Sequence, residues 1–147
     1  MRKVISNTSC LIALSNIGRL DVLRSLYGTI SVTPEVAGEF GEALPDWISV
    51  VPVSDPSKTK LIQQTLDLGE SSTVALAIEQ ADSLLILDDG KARRFAKNMG
   101  LSMTGTLGII VKASQTGLIE DVAVVLAEFR QYGFRIPPDI EKDLSLQ

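Results

Sequence analysis

The sequence contains no histidine and a single cysteine, Cys10, in 147 residues. Without imidazole or a second thiol it cannot build a Ser-His-Asp triad, a Cys-His pair, a structural zinc site or an internal disulfide. It also lacks any uninterrupted apolar run of the ~18 residues that a membrane-spanning helix needs. The chain opens on a strand-like segment without a basic, apolar leader, and with its lone thiol this leads to the expectation of a reducing, cytoplasmic setting. What remains for chemistry is oxygen ligands and lysine. The hydrophobic share of 45 % and charged share of 22 % are those of a globular chain. For a mass of 15.8 kDa, surface scaling gives roughly 7,300 Å² exposed when folded against about 22,900 Å² unfolded, ample for one core. No repeat, low-complexity tract or long linker divides residues 1–147, so one domain is expected.

The net charge of −4 comes from 14 basic and 18 acidic side chains, a balance that mildly repels nucleic acid and requires any polyanion to find a local basic patch. Apolar periodicity alternates between strand and helix. Lys3-Val4-Ile5-Ser6 reads as a strand feeding a helix that Asn7, Thr8 or Ser9 can cap. A second short helix ends at Gly28, a strand covers 29–33, and Pro34 opens a third helix through Phe40. The stretch 44–56 reads as loop, edge strand and loop, and Lys58 to Leu66 as helix. A stronger helix follows Gly69, with Val74, Ala77, Ile78 and Ala81 on one face. Ser83-Leu84-Leu85-Ile86-Leu87 is a continuous apolar run of the kind that forms central parallel strands. Gly90 to Met99 reads as helix, Leu101 to Thr104 as strand, and Thr106 as the cap of a helix running to Ser114. Asp121 to Tyr132 is the clearest amphipathic helix, carrying Val122, Val125, Leu126 and Phe129. The alternation predicts an α/β protein with a doubly wound parallel sheet.

In such sheets ligands bind beyond the carboxyl ends of the strands. The residues placed there are Asn7, Thr8 and Ser9 after the first strand and Asp88 and Asp89 after the apolar strand, with Glu70 at a helix start and Glu39 on the helix after Pro34. Several carboxylates around one cleft repel one another, and a hard divalent cation, Mg²⁺ or Mn²⁺, is the usual reason for such an arrangement. A cation so held activates water and clamps phosphate oxygens, which is phosphodiester hydrolysis. Each acid also has a plainer reading: Glu70 favours a helix N-terminus, Asp88 or Asp89 caps the next helix, and Glu39 lies on a solvated face. Next to the acid pair, Lys91-Ala92-Arg93-Arg94-Phe95-Ala96-Lys97 packs four of the 14 basic residues into seven positions. With Ala92, Phe95, Ala96 and Met99 inward, Lys91, Arg93, Arg94 and Lys97 form either a phosphate-binding face or an ordinary solvated one.

Other motifs fail. Gly100 and Gly105 stand at P-loop spacing, but Thr106 and Leu107 occupy the positions of the required Lys and Ser/Thr. No Gly-x-Gly-x-x-Gly run follows a strand. Cys10, on an apolar helix start, reads as a small buried hydrophobe.

Five blocks resemble the PIN-domain family. They are 4–14, ending its strand in Ser6-Asn7-Thr8-Ser9; Thr33-Pro34-Glu35-Val36 through Glu39; Leu68-Gly69-Glu70 through Ala77; Leu84 through Asp88-Asp89-Gly90-Lys91-Ala92-Arg93-Arg94; and Gly105-Thr106-Leu107-Gly108. Together they run in order from residue 4 to about 135 and are similar to a prokaryotic branch related to VapC-type toxins. The resemblance implies a three-layer α/β/α fold with a mostly parallel sheet, and a Mg²⁺- or Mn²⁺-dependent ribonuclease acting on single-stranded RNA. It further implies a toxin of a toxin–antitoxin pair, with an antitoxin protein as partner. Carried over, Asn7 stands where the family has its first Asp, Glu39, Glu70 and Asp88 or Asp89 match the other acids, and Thr8 or Ser9 orients water or ligand. Asn7 departs from the pattern, since an amide oxygen ligates a cation but supplies no charge. Its effect on metal binding is a loss of a few kcal/mol at an effective dielectric near ~20. The competing function is a non-enzymatic RNA- or protein-binding module with a degenerate metal site. A mean hydropathy of +0.22 predicts a homodimer, and 136–147 reads as a C-terminal tail or docking helix.

Overall fold

The computed structural model describes residues 2–138, so most of the expected tail at 136–147 lies outside the described residues. Its order is β1 (Lys3–Ser6), α1 (Thr8–Asn16), α2 (Asp21–Tyr27), β2 (Ile30–Val32), α3 (Pro34–Phe40), β3 (Ile48–Val50), α4 (Pro56–Ile62), α5 (Leu68–Glu79), β4 (Ser83–Ile86), α6 (Gly90–Asn98), β5 (Ser102–Thr104), α7 (Thr106–Gln115) and α8 (Val122–Gln131). The strands form one sheet in the order β3-β2-β1-β4-β5. Every pairing is parallel, with Ile5 opposite both Ser31 and Leu85, and Leu85 opposite Met103. The α/β fold of the expected kind is therefore present, with β1 at the centre and β3 at an edge.

Strand alternation divides the core. Val4, Ile30, Val32 and Ile86 pack with α1, α2, α7 and α8 on one face, while Ile5, Leu85 and Leu87 pack with α4, α5 and α6 on the other. On α8, Val122, Val125, Leu126 and Phe129 are buried as the spacing predicts, and Asp121 caps the helix by accepting from the Ala123 and Val124 amides. Each such side chain contributes roughly 1.5–3 kcal/mol through its burial.

Three local expectations are corrected. Residues 71–77 of α5 are all buried, whereas Ile78 and Ala81 are exposed, so α5 is sunk between layers and carries no single apolar stripe. Met99, expected inward, is 51 % exposed because α6 ends at Asn98 and the chain turns at Gly100, whose φ is +77°. Thr106 is the first residue of α7 and Gly105 its cap; the Thr106 hydroxyl is used elsewhere.

Candidate active site

Helices that alternate with parallel strands run antiparallel to them, so the starts of α1, α5, α6 and α7 share the carboxyl edge of the sheet. This is how residues far apart in sequence meet. Asn7, Thr8, Ser9, Ile12, Glu39, Asp67, Glu70, Asp88 and Asp89 line one cleft of about 390 Å³. Asn7, Glu39, Glu70, Asp88, Asp89, Thr8 and Ser9 are thus brought together; the residue that sequence reasoning passed over is Asp67. Its signal was the Asp67-x-x-Glu70 spacing ahead of an apolar run, a capping-box pattern. Asp67 caps α5 by accepting from the Glu70 amide at 2.8 Å.

The two adjacent aspartates have different partners. Asp88 Oδ1 accepts from the Thr106 amide at 2.7 Å, and its Oδ2 accepts from the hydroxyls of Thr106 at 2.6 Å and Ser9 at 2.7 Å. It ties together the starts of α1 and α7. Asp89 is exposed and caps α6, its Oδ2 accepting from the Ala92 amide at 3.0 Å. On the opposite side of the cleft Thr8 donates its hydroxyl to Glu39 Oε1 at 2.5 Å. Gly69 leaves the space for that carboxylate, because a methyl group there would overlap the Glu39 head group.

Two observations mark the cleft as electrostatically unbalanced. Burial pushes the Glu70 carboxyl up to about 7, and the charges of Asp67, Asp89 and Glu39 push the same way against the bond from the Asp67 backbone that opposes them. Asn7 holds the N-cap position of α1 without capping it; its side-chain Oδ1 is buried and has no hydrogen-bond partner. A buried acceptor without a donor costs about 1–3 kcal/mol unless something electropositive meets it. The donor set is all oxygen, the kind that suits a hard cation. Among the described residues, no three Asp, Glu or Cys side chains are drawn together as a ready cation cage.

Beside the cleft, Lys91, Arg94 and Lys97 of α6 are exposed. Arg93, expected to face outward, is half-buried and donates from Nη1 to the Leu87 carbonyl at 2.7 Å. It lines a groove of about 890 Å³ on the β5 side of the acids. Cys10 is fully enclosed, and burial pushes its thiol up to about 12, with the bond to Thr106 opposing and the charge of Asp88 adding; it is no nucleophile at neutral pH.

A five-stranded parallel sheet with an acidic cleft at its carboxyl edge places the protein among α/β proteins whose ligands meet the ends of the strands. A family model described as "DUF3368: PIN domain" matches residues 3–145, and the chain belongs to this PIN-domain family, a family of metal-dependent nucleases. No curated protein and no solved structure matches the chain. No helix among the described residues is long and apolar enough to cross a membrane.

Proposed function

We propose that the protein is a divalent-metal-dependent ribonuclease that hydrolyses phosphodiester bonds in single-stranded RNA. The observation that carries this is the cleft lined by Glu39, Asp67, Glu70 and Asp89 together with Asn7, whose buried amide oxygen has no partner. Glu70, Asp89 and Asn7 would hold Mg²⁺ or Mn²⁺, with Glu39 beside them; Asp88 is already satisfied by Ser9 and Thr106 and positions the wall. Such an ion supplies Lewis-acid activation of water and charge neutralisation at the phosphate. The chain itself keeps Glu39 in place through Thr8 and offers Lys91, Arg94 and Lys97 to the phosphate backbone. The family resemblance extends the reading to a cytoplasmic toxin with an antitoxin partner, and exposed Leu61 and Met99 are in keeping with a homodimer.

Asn7 favours a second reading, a binding module that retains the fold with a weakened ion site. Cleavage of a labelled single-stranded RNA in Mn²⁺ or in excess EDTA separates the two. The ribonuclease reading expects Mn²⁺-dependent cutting that rises about tenfold or more in Asn7→Asp, since a carboxylate adds a few kcal/mol of attraction to the ion, and that vanishes in Asp89→Ala. An Asn7→Asp protein that binds Mn²⁺ and still cuts nothing sinks it. Salt-dependent RNA binding indifferent to EDTA would then support the binding module.

A further inference from the structure

The acid cleft does not stand alone. A hollow of about 250 Å³ between α1 and the end of α8 shares Ser9 and Ile12 with it, and this hollow is lined on its far side by Tyr132 and Phe134. The groove on the β5 side shares Asp88 and Asp89 with the cleft and is lined by Arg93, Phe134 and Arg135. Phe134 therefore borders both depressions, and each of them shares lining residues with the acid cleft. The sequence has only 4 Phe, 2 Tyr and 1 Trp, yet two of these rings stand two residues apart at this rim. Tyr132 is 60 % exposed, among the most exposed of the large apolar side chains. Phe134 is half-buried and braced by Phe129, with ring centroids 5.1 Å apart.

We propose that Tyr132 and Phe134 form a base-stacking shelf for single-stranded RNA beside the acid cleft, with Arg93 and Arg135 facing the flanking phosphates. The proposal rests on the ribonuclease reading and adds a subsite to it. Non-sequence-specific recognition of a single strand combines aromatic faces for successive bases with cations along the backbone. Both are present here, with Arg93 reaching the groove from α6 and Arg135 lining it next to Phe134. In a chain with net charge −4, cations placed beside an aromatic rim offer a polyanion a local foothold. A base needs its sugar-phosphate to pass the acids to be cut, and the continuity of the three depressions supplies that path.

The test is fluorescence anisotropy with a short labelled oligouridylate, and with the same oligomer made abasic, in Ca²⁺ buffer using the full chain. Tyr132→Ala is expected to weaken oligouridylate binding about fivefold or more, from the energy of one lost stack. Tyr132→Phe is expected to restore it, while the abasic oligomer binds weakly and equally to parent and Tyr132→Ala. Arg135→Gln is expected to lower the salt slope by about one phosphate contact. Tyr132 is solvent-exposed, so thermal melting checks that its variants remain folded; Phe134, packed on Phe129, is left intact. Equal oligouridylate affinity in Tyr132→Ala and parent, or an abasic oligomer bound as tightly as the intact one, overturns the shelf. Mn²⁺-dependent cleavage by the same Tyr132→Ala protein with an unchanged KM would show that the shelf has failed while the ribonuclease reading stands. A parent protein that neither binds nor cuts RNA overturns both.

Discussion

The two walls of the cleft are built from the same residue type and behave oppositely. On the wall formed by the starts of α6 and α7, Asp88 accepts three hydrogen bonds and shows how a protein satisfies a carboxylate's oxygens with its own donors. On the wall formed by α3 and α5, Glu70 has a single opposing bond from the Asp67 backbone; it is desolvated, and the charges of Asp67, Asp89 and Glu39 raise it further. An acid that the fold satisfies belongs to the architecture. An acid left with one backbone donor, in a cleft that also holds an orphaned amide oxygen, keeps lone pairs that a ligand could use, and the difference lies in partners rather than residue type.

The largest effect expected from breaking this contrast is on stability. Asp88→Ala leaves the buried Thr106 amide and hydroxyl and the Ser9 hydroxyl without their acceptor. Unpaired buried donors of this kind cost about 2–4 kcal/mol in total, and in a domain of this size the melting temperature falls by roughly 5–15 °C. Asp89→Ala removes one helix cap, about 1 kcal/mol. Thermal denaturation of the two variants side by side decides the matter: equal losses would mean that Asp88 is no more structural than its neighbour.

The sequence made some of this legible. Elements with regular apolar spacing were readable, as in α8, where the buried set and the Asp121 cap match the pattern. Helix α5 was harder, because Ser71, Ser72 and Thr73 are polar by type yet fully buried. Their hydroxyls donate to the Leu66 and Gly69 carbonyls, and Ser72 also pairs with Thr33 at 2.7 Å, so burial costs them little. Periodicity cannot register a hydroxyl that satisfies itself on its own helix. In the site, the rule that ligands meet strand ends located Asn7, Asp88 and Asp89. It could not distinguish Asp88 from Asp89, because the distinguishing donor, Thr106, lies 18 residues away and arrives only when β5 pairs with β4. Asp67 was hidden for a related reason: its capping role is local, and its place in the cleft depends on where α5 begins.

The next largest effect concerns Glu70 and has the opposite sign. Its folded pKa, about 7, lies above the ordinary carboxyl value of 4.5, so the folded metal-free protein holds a proton that the unfolded chain releases. Linkage then makes stability fall as pH rises from about 4.5 through 7. Because the group is partly solvated, the shift in melting temperature is a few degrees at most. Glu70→Gln is expected to flatten that profile and to melt higher than the parent at pH 8 without metal. Mn²⁺ should raise the parent's melting temperature more at pH 8 than at pH 6, since the deprotonated carboxylate binds the cation, and should do little for Glu70→Gln. A parent profile that rises between pH 5 and 8 would contradict the assignment of unbalanced charge to this wall.

The smallest change in fold stability separates geometry from architecture. Gly69→Ala places a methyl group where the Glu39 carboxylate lies, and the far end of an exposed side chain can swing away at little cost. Alanine also gains roughly 1 kcal/mol of helix propensity over glycine, so the melting temperature should stay within about 2 °C of the parent or rise. The displaced carboxylate loses the Thr8 hydroxyl that holds it at the cleft. If Glu39 serves the ion, Mn²⁺ affinity measured by calorimetry should drop by about threefold or more, the equivalent of one charge-assisted contact weakened. Unchanged affinity at unchanged stability would confine the ion site to Glu70, Asp89 and Asn7, and would make the bond between Thr8 and Glu39 a tie between α1 and α3 with no part in the chemistry.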